Sequence, residues 1–171
     1  MEALANSNPQ NAEWRRALSV ADNKAGRAAL AQGDAPEALR RFRDGLAVIE
    51  ALAEIDPANA GWQRDVAVSY NLVGNVLLTQ RALPEALKSY RAALTIVQRL
   101  AASEPTNAQW QNDLQFCIGR IGIAAWSAVL AHDLPMAMDA VDQAIALAPQ
   151  ATWLYASRAH ALMLLGRVEE A

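Results

Sequence analysis

Cysteine is almost missing from this chain. Cys117 stands alone among 171 residues, which rules out an internal disulfide framework and suits a reducing compartment. Its neighbours Phe116 and Ile118 mark it as a small buried hydrophobe and not a nucleophile. A basic surplus is missing as well. Fifteen Lys and Arg against eighteen Asp and Glu leave a net charge of −3, which offers no field for nucleic acid or an anionic membrane. The densest basic cluster, Arg40, Arg41 and Arg43, is flanked by Glu37 and Asp44 and reads as a solvated helix face. No run of 18 or more consecutive apolar residues suggests a membrane span. The start of the chain has an acid at Glu2 and no long apolar stretch, so no signal peptide is expected. These absences together point to a cytoplasmic protein with no membrane or nucleic-acid partner.

Reactive motifs are equally scarce. There is no phosphate loop of the GxxxxGK kind, no HExxH, no CxxC and no GxSxG elbow. His132 and His160 lie in different parts of the chain, and His132-Asp133 falls at an expected helix-to-helix turn. Neither has the ligand company that a metal needs. The expectation is therefore a protein that is not an enzyme and uses no cofactor. Glycine and proline are few, at eight and seven, while 53% of the chain is apolar and rich in alanine. That balance favours a helical globular fold over disorder.

What the chain does have is repetition. Pro9, Pro57 and Pro105 are 48 residues apart, as are Trp14, Trp62 and Trp110, and Gly26, Gly74 and Gly122. Pro36 and Pro84 share the interval and open the similar phrases PEALRRFRDGLAVI and PEALKSYRAALTIV. Several independent columns with one spacing define a repeat protein. Each unit reads as two helices. Asn59 is a good N-cap, and the pattern then runs from Ala60 to about Gln80 without a breaker. Val66, Tyr70, Val73 and Leu77 give that helix its apolar face, and Leu87, Tyr90, Leu94, Val97 and Leu100 do so for the next. Pro84 suits a first helical turn, and the residues before Pro57 and Pro105 are pushed out of helical geometry.

Small Gly26 and Gly74 in the first helix, Gly33 near the turn, and Ala38 and Ala86 in the second form a pattern with aromatic Phe42 and Tyr90 and small Gly45 and Ala93. That pattern resembles the tetratricopeptide repeat family. The usual period there is about 34, so 48 implies longer helices, similar to the kinesin light chain type, whose first-helix pattern NLVGNVL (Asn71 to Leu77) resembles. The resemblance implies an all-α, right-handed superhelical α-solenoid of antiparallel helix pairs. Its expected divisions are the end of a preceding helix at 1–8, repeat 1 at 9–56, repeat 2 at 57–104, repeat 3 at 105–149 and a partial repeat 4 at 150–171.

The period then changes. Ala86 to Ala137 is 51 residues, so the third unit gains about one turn within Gly122 to Ala131, and Ala137 to Ala171 is 34. Pro149 is expected to end a short helix, followed by another from about Thr152 to Leu165 and by Gly166 at a turn. Trp126 either faces the groove or fills the space the extra turn makes, with the core its expected place. Glu169-Glu170-Ala171 matches the opening of a second helix, and Glu2 to Ala5 matches Glu50 to Ala53. Both ends read as parts of a longer array.

In the resembled family the first helices line a concave wall that binds peptides. The residues the resemblance places there are Asn23, Lys24 and Arg27, Asn71 and Asn75, and Arg120. Asn71 and Asn75 share one helix face, and asparagine is a mediocre helix former whose amide suits the backbone of an extended peptide. The cations would attract an acidic segment. The leading expectation is an interaction scaffold for a protein or peptide partner, part of a larger protein. Its alternatives are a regulatory or sensor segment of a multidomain bacterial enzyme, or a structural homo-oligomerisation module. An exposed terminal helix would be covered by a homodimer in the last case.

Overall fold

The computed structural model describes residues 12–170, and within them the chain forms seven α-helices and one short 3₁₀ turn, with no strand. The expected end of a preceding helix at 1–8, with Glu2 to Ala5 and Pro9, lies outside the described residues. The helices are α1 (Ala12–Ala31), α2 (Ala35–Ile55), α3 (Ala60–Thr79), α4 (Leu83–Ser103), α5 (Ala108–Leu130), α6 (Leu134–Leu147) and α7 (Thr152–Leu164). Val168–Glu170 makes the 3₁₀ turn.

The chain divides into two compact units, with α1 to α3 in the first and α4 to α7 in the second. The cut falls at Gln80, inside the expected second repeat. In each unit every helix packs on the next in chain order, an arrangement compatible with a helical repeat.

Local chemistry explains where the helices begin. The side chains of Asn59 and Asn107 accept hydrogen bonds from the N–H groups of Trp62 and Trp110, satisfying donors that a helix start leaves open. Asp34 and Asp133 do the same for Glu37 and Met136. Pro36, Pro84 and Pro135 occupy the first turn of α2, α4 and α6, where the missing N–H is not needed. Asp56 and Glu104 end α2 and α4 immediately before a proline.

The helix ends share one device. Gly33, His132 and Gly166 each follow a helix in the left-handed region, at φ 81°, 59° and 73°. Each donates its N–H three residues back, and the next residue donates five residues back: Asp34 to Ala29, Asp133 to Ala128, Arg167 to Leu162. This closure satisfies the last carbonyls of the helix. Arg81 holds the same conformation at φ 61°. Gly33 and Gly166 take it without strain, whereas Arg81 and His132 bear the clash of a side chain with the backbone.

The core of the first unit is centred on Phe42, Ile49 and Leu52, all at most 1% exposed. Phe42 lies against Gly26, and a Cβ there would stand 2.5 Å from the ring. The glycine is therefore a notch that lets α2 close on α1. Gly45 is a second close approach, 3.0 Å from the Ser19 carbonyl by the same measure. In the second unit the core includes Tyr90, Leu94, Ile118, Ile121, Val141 and Leu154. Gly122 is the notch here, where a Cβ would stand 2.2 Å from the Trp153 ring and 2.8 Å from Leu154. Cys117 is buried, as its apolar neighbours suggested.

α5 carries the expected extra turn, 23 residues against 20 in α1 and α3. By length and composition it reaches the threshold for a membrane span, with a mean hydropathy of 1.2, although it contains no unbroken apolar run of that length. Buried positions make up 44% of that stretch. Trp110 and Leu114 are half-buried, and Phe116, Ile123, Trp126 and Leu130 make an exposed stripe, each between 39% and 65% accessible. Trp126 was expected in the core. It stands instead at the surface, with its ring edge-on to His160 at 5.3 Å between centroids.

Candidate functional site

The first unit contains a groove of about 220 Å³ between α1 and α3. From α1 come Ser19, Val20, Asn23, Lys24 and Arg27, a set at three- and four-residue spacing that the helix turns to one side. From α3 come Asp65, Val68 and Leu72. Arg16 and Asp65 pair across the two helices at 2.6 Å. Arg16 is half-exposed, so solvent screens the pair and its contribution to stability is about 0–1 kcal/mol.

Asn23 also bridges the helices. Its side-chain nitrogen donates to the Ser69 hydroxyl at 3.0 Å, and Ser69 is completely buried. Lys24 and Arg27 are exposed and form no ion pair or side-chain hydrogen bond within the described residues. With Asp65 held by Arg16, the uncompensated charge in the groove is positive, above an apolar floor of Val20, Val68 and Leu72.

The six residues expected on one binding wall thus divide. Asn23, Lys24 and Arg27 converge on this groove. Asn71 is only 7% exposed, and its amide nitrogen donates to the Ala67 carbonyl of its own helix at 3.1 Å. Asn75 is half-buried and likewise engaged within the fold. Arg120 belongs to the second unit, where its guanidinium lies 4.6 Å over the Phe116 ring, a cation–π contact. Sequence reasoning missed Ser19, Val20, Asp65, Val68 and Leu72. Val20 and Val68 were findable, because they are 48 residues apart like the other repeated columns.

A second hollow of about 360 Å³ lies between α2 and α3, bordered by Glu50, Ala53, Glu54, Pro57, Gln63 and Val66. It is acidic in character. The Tyr70 hydroxyl donates to Glu50, and burial first, then that carboxylate, pushes the Tyr70 phenol up to about 12. Elsewhere Glu37 receives Arg40 and Arg41, whose hydrogen bonds hold its carboxyl down at about 2. Arg41 reaches on to Asp22 at 3.3 Å and Arg40 to Asp44 at 2.9 Å. Arg40 and Arg41 of the arginine cluster are therefore paired with neighbouring acids. Among the described residues, no three of His, Cys, Asp and Glu gather as a metal site would require.

No family model matches the chain, and no curated protein shows significant similarity to it.

Proposed function

We propose that this chain is a protein-docking module, a tetratricopeptide-like array that holds an acidic peptide segment of a partner against its first helices. The observation that supports this most is the α1/α3 groove, where Lys24 and Arg27 stand uncommitted beside Val20, Val68 and Leu72. A cation that no carboxylate engages is a ready partner for one, and charge-assisted hydrogen bonds are stronger than neutral ones. The apolar floor suits an aliphatic side chain next to that carboxylate. Asn23, tied to Ser69, supports the wall more than it grips the ligand. Asn71 is bonded to its own helix, and Asn75 is already engaged by an interaction of its own.

The test is fluorescence anisotropy with short labelled peptides that carry alternating aliphatic and acidic residues, and with versions in which each acid becomes lysine. Acidic peptides should bind, weaken with added salt, and lose at least tenfold in affinity on the double variant Lys24→Ala, Arg27→Ala. Equal binding of the lysine versions, or an unaffected double variant, would sink the reading.

A second reading has one observation of its own. Tyr155, Met163 and Leu164 on α7 are 44% to 54% exposed, apolar surface that a homodimer would cover. Sedimentation velocity across a concentration series reads this directly. A species that stays monomeric at high concentration contradicts it.

A further inference from the structure

We infer that the middle of α5, from Phe116 to Ile123, is a second docking surface, built to receive an amphipathic helix of another protein that carries one bulky aromatic anchor and a carboxylate within a turn of it. The inference concerns the second unit alone and does not depend on the groove between α1 and α3.

The key residue is Gly119. A glycine inside a helix costs stability relative to alanine, so it calls for a reason. Three other glycines within helices have one, while Gly61, in the first turn of α3, meets only the capping side chain of Asn59. Gly26 makes room for Phe42, Gly45 for the backbone at Ser19, and Gly122 for Trp153. Around Gly119 a Cβ would meet nothing within 4 Å. It is a notch of the same kind with no ring in it.

Helix lengths explain why it is empty. α5 has 23 residues and α7 has 13. Trp153, the second residue of α7, already sits at Gly122. Gly119 lies almost one turn before Gly122, so the stretch from Ala108 to Gly119 runs on past the start of α7. At about 1.5 Å per residue that is roughly 18 Å of helix. The first unit has no such mismatch, because α1 and α3 are both 20 residues long. There Asn23, at the position 96 residues before Gly119, reaches Ser69 on its companion.

Composition and charge define the occupant. Phe116, 48% exposed, and Ile123, 46% exposed, flank Gly119 one turn to either side. An apolar stripe with a glycine at its centre fits a helix carrying a ring, as the notches at Gly26 and Gly122 do within the fold. Arg120 lies over Phe116 and forms no ion pair within the described residues. A carboxylate on the incoming helix would complete it, which favours an acidic amphipathic helix over an extended or basic segment.

The experiment is selection from a displayed library of 18-residue amphipathic helices, randomised on the apolar face and its borders. Selected clones are then measured one by one on the intact protein and its variants. Clones should share an aromatic residue with Asp or Glu within one turn. They should weaken at least tenfold on Gly119→Leu and on Arg120→Glu, and stay within twofold on Lys24→Ala, Arg27→Ala. The Gly119→Ala variant guards against misfolding, because it should melt at a higher temperature than the parent while still losing affinity. If Gly119→Ala melts higher and binds every clone as the parent does, the notch has no occupant and the inference falls. It falls equally if Gly119→Leu dissociates a homodimer seen by sedimentation velocity, since a second copy then covers the face. Binding to phosphatidylserine vesicles in place of any helix would also overturn it.

Discussion

α1 and α5 occupy the same place in the repeated pattern, yet their free sides have opposite chemistry. The positions filled by Val20, Asn23, Lys24 and Arg27 in α1 hold Phe116, Gly119, Arg120 and Ile123 in α5, each 96 residues further on. In α1 the set is largely polar and lines a groove closed by a companion helix of equal length. In α5 it is largely apolar and outruns its companion. Polar side chains can bond across a matched pair of helices, as the Asn23 amide nitrogen does to Ser69, although its Oδ1 stays buried without a hydrogen bond. Where the companion stops short, an asparagine would face only water, and this chain has glycine and hydrophobes there instead. A repeat fixes the scaffold, and the length of the neighbour decides what the same position is used for.

The comparison breaks most readily at the glycines. Gly26→Leu should destabilise the protein by about 3 kcal/mol in urea unfolding, because Phe42 is fully buried and cannot move aside. Gly122→Leu should cost less, since the Trp153 ring it displaces is 47% exposed and free to swing outward. An equal loss at Gly122 would show that Leu154 or the backbone, and not the ring, sets the limit. Next in size is the bridge across the first unit. Asn23→Ala should cost about 1 kcal/mol, and a double-mutant cycle with Ser69→Ala should show the two coupled. Strict additivity would mean the bond contributes nothing.

Smaller gains are expected where side chains are strained or missing. His132→Gly should stabilise by up to about 1 kcal/mol by relieving the left-handed backbone at φ 59°. A lower melting temperature in that variant would contradict the assignment of strain. The smallest effects are those of pH. Glu37 is held at about 2, below the usual 4.5, so its contribution is complete above 4.5 and fades as pH falls towards 2. Burial raises Tyr90 to about 12, so its contribution is complete below 10 and is lost as pH rises through 12, and Tyr70 behaves alike. Glu37→Gln should flatten the acid limb of a stability profile and leave the alkaline limb unchanged.

Much of the helical layout was legible in the sequence. Asn59, Pro36, Pro84 and the residues before Pro57 and Pro105 fix helix ends through local backbone chemistry, which needs no tertiary context. α3 was expected from Ala60 to about Gln80 and runs to Thr79; α7 was expected to Leu165 and runs to Leu164. The extra turn in the third unit follows from counting alone. The left-handed residues were half legible. Gly33 and Gly166 announce themselves, while Arg81 and His132 hold the same conformation without a glycine to signal it.

The surface was harder to read. A helical wheel places Asn71 and Asn75 on one face, but whether that face is open depends on which helix lies beside it and how far that helix extends. Asn71 turned out buried and bonded to Ala67. Trp126 was misplaced for the same reason: an apolar ring was assumed to need covering, and its helix continues where cover is thin. The 48-residue columns did contain the clue, since Asn23 and Asn71 are followed by Gly119 and not by a third asparagine.

The most direct test of two docking surfaces of opposite character is one selection carried out on the parent protein with a mixed library of extended acidic peptides and amphipathic helices. Each enriched clone is then rebound to Lys24→Ala, Arg27→Ala and to Gly119→Leu. Two classes are expected, extended acidic clones lost only on the first variant and aromatic helices lost only on the second. A single class lost on both variants, or clones lost on neither, would contradict that.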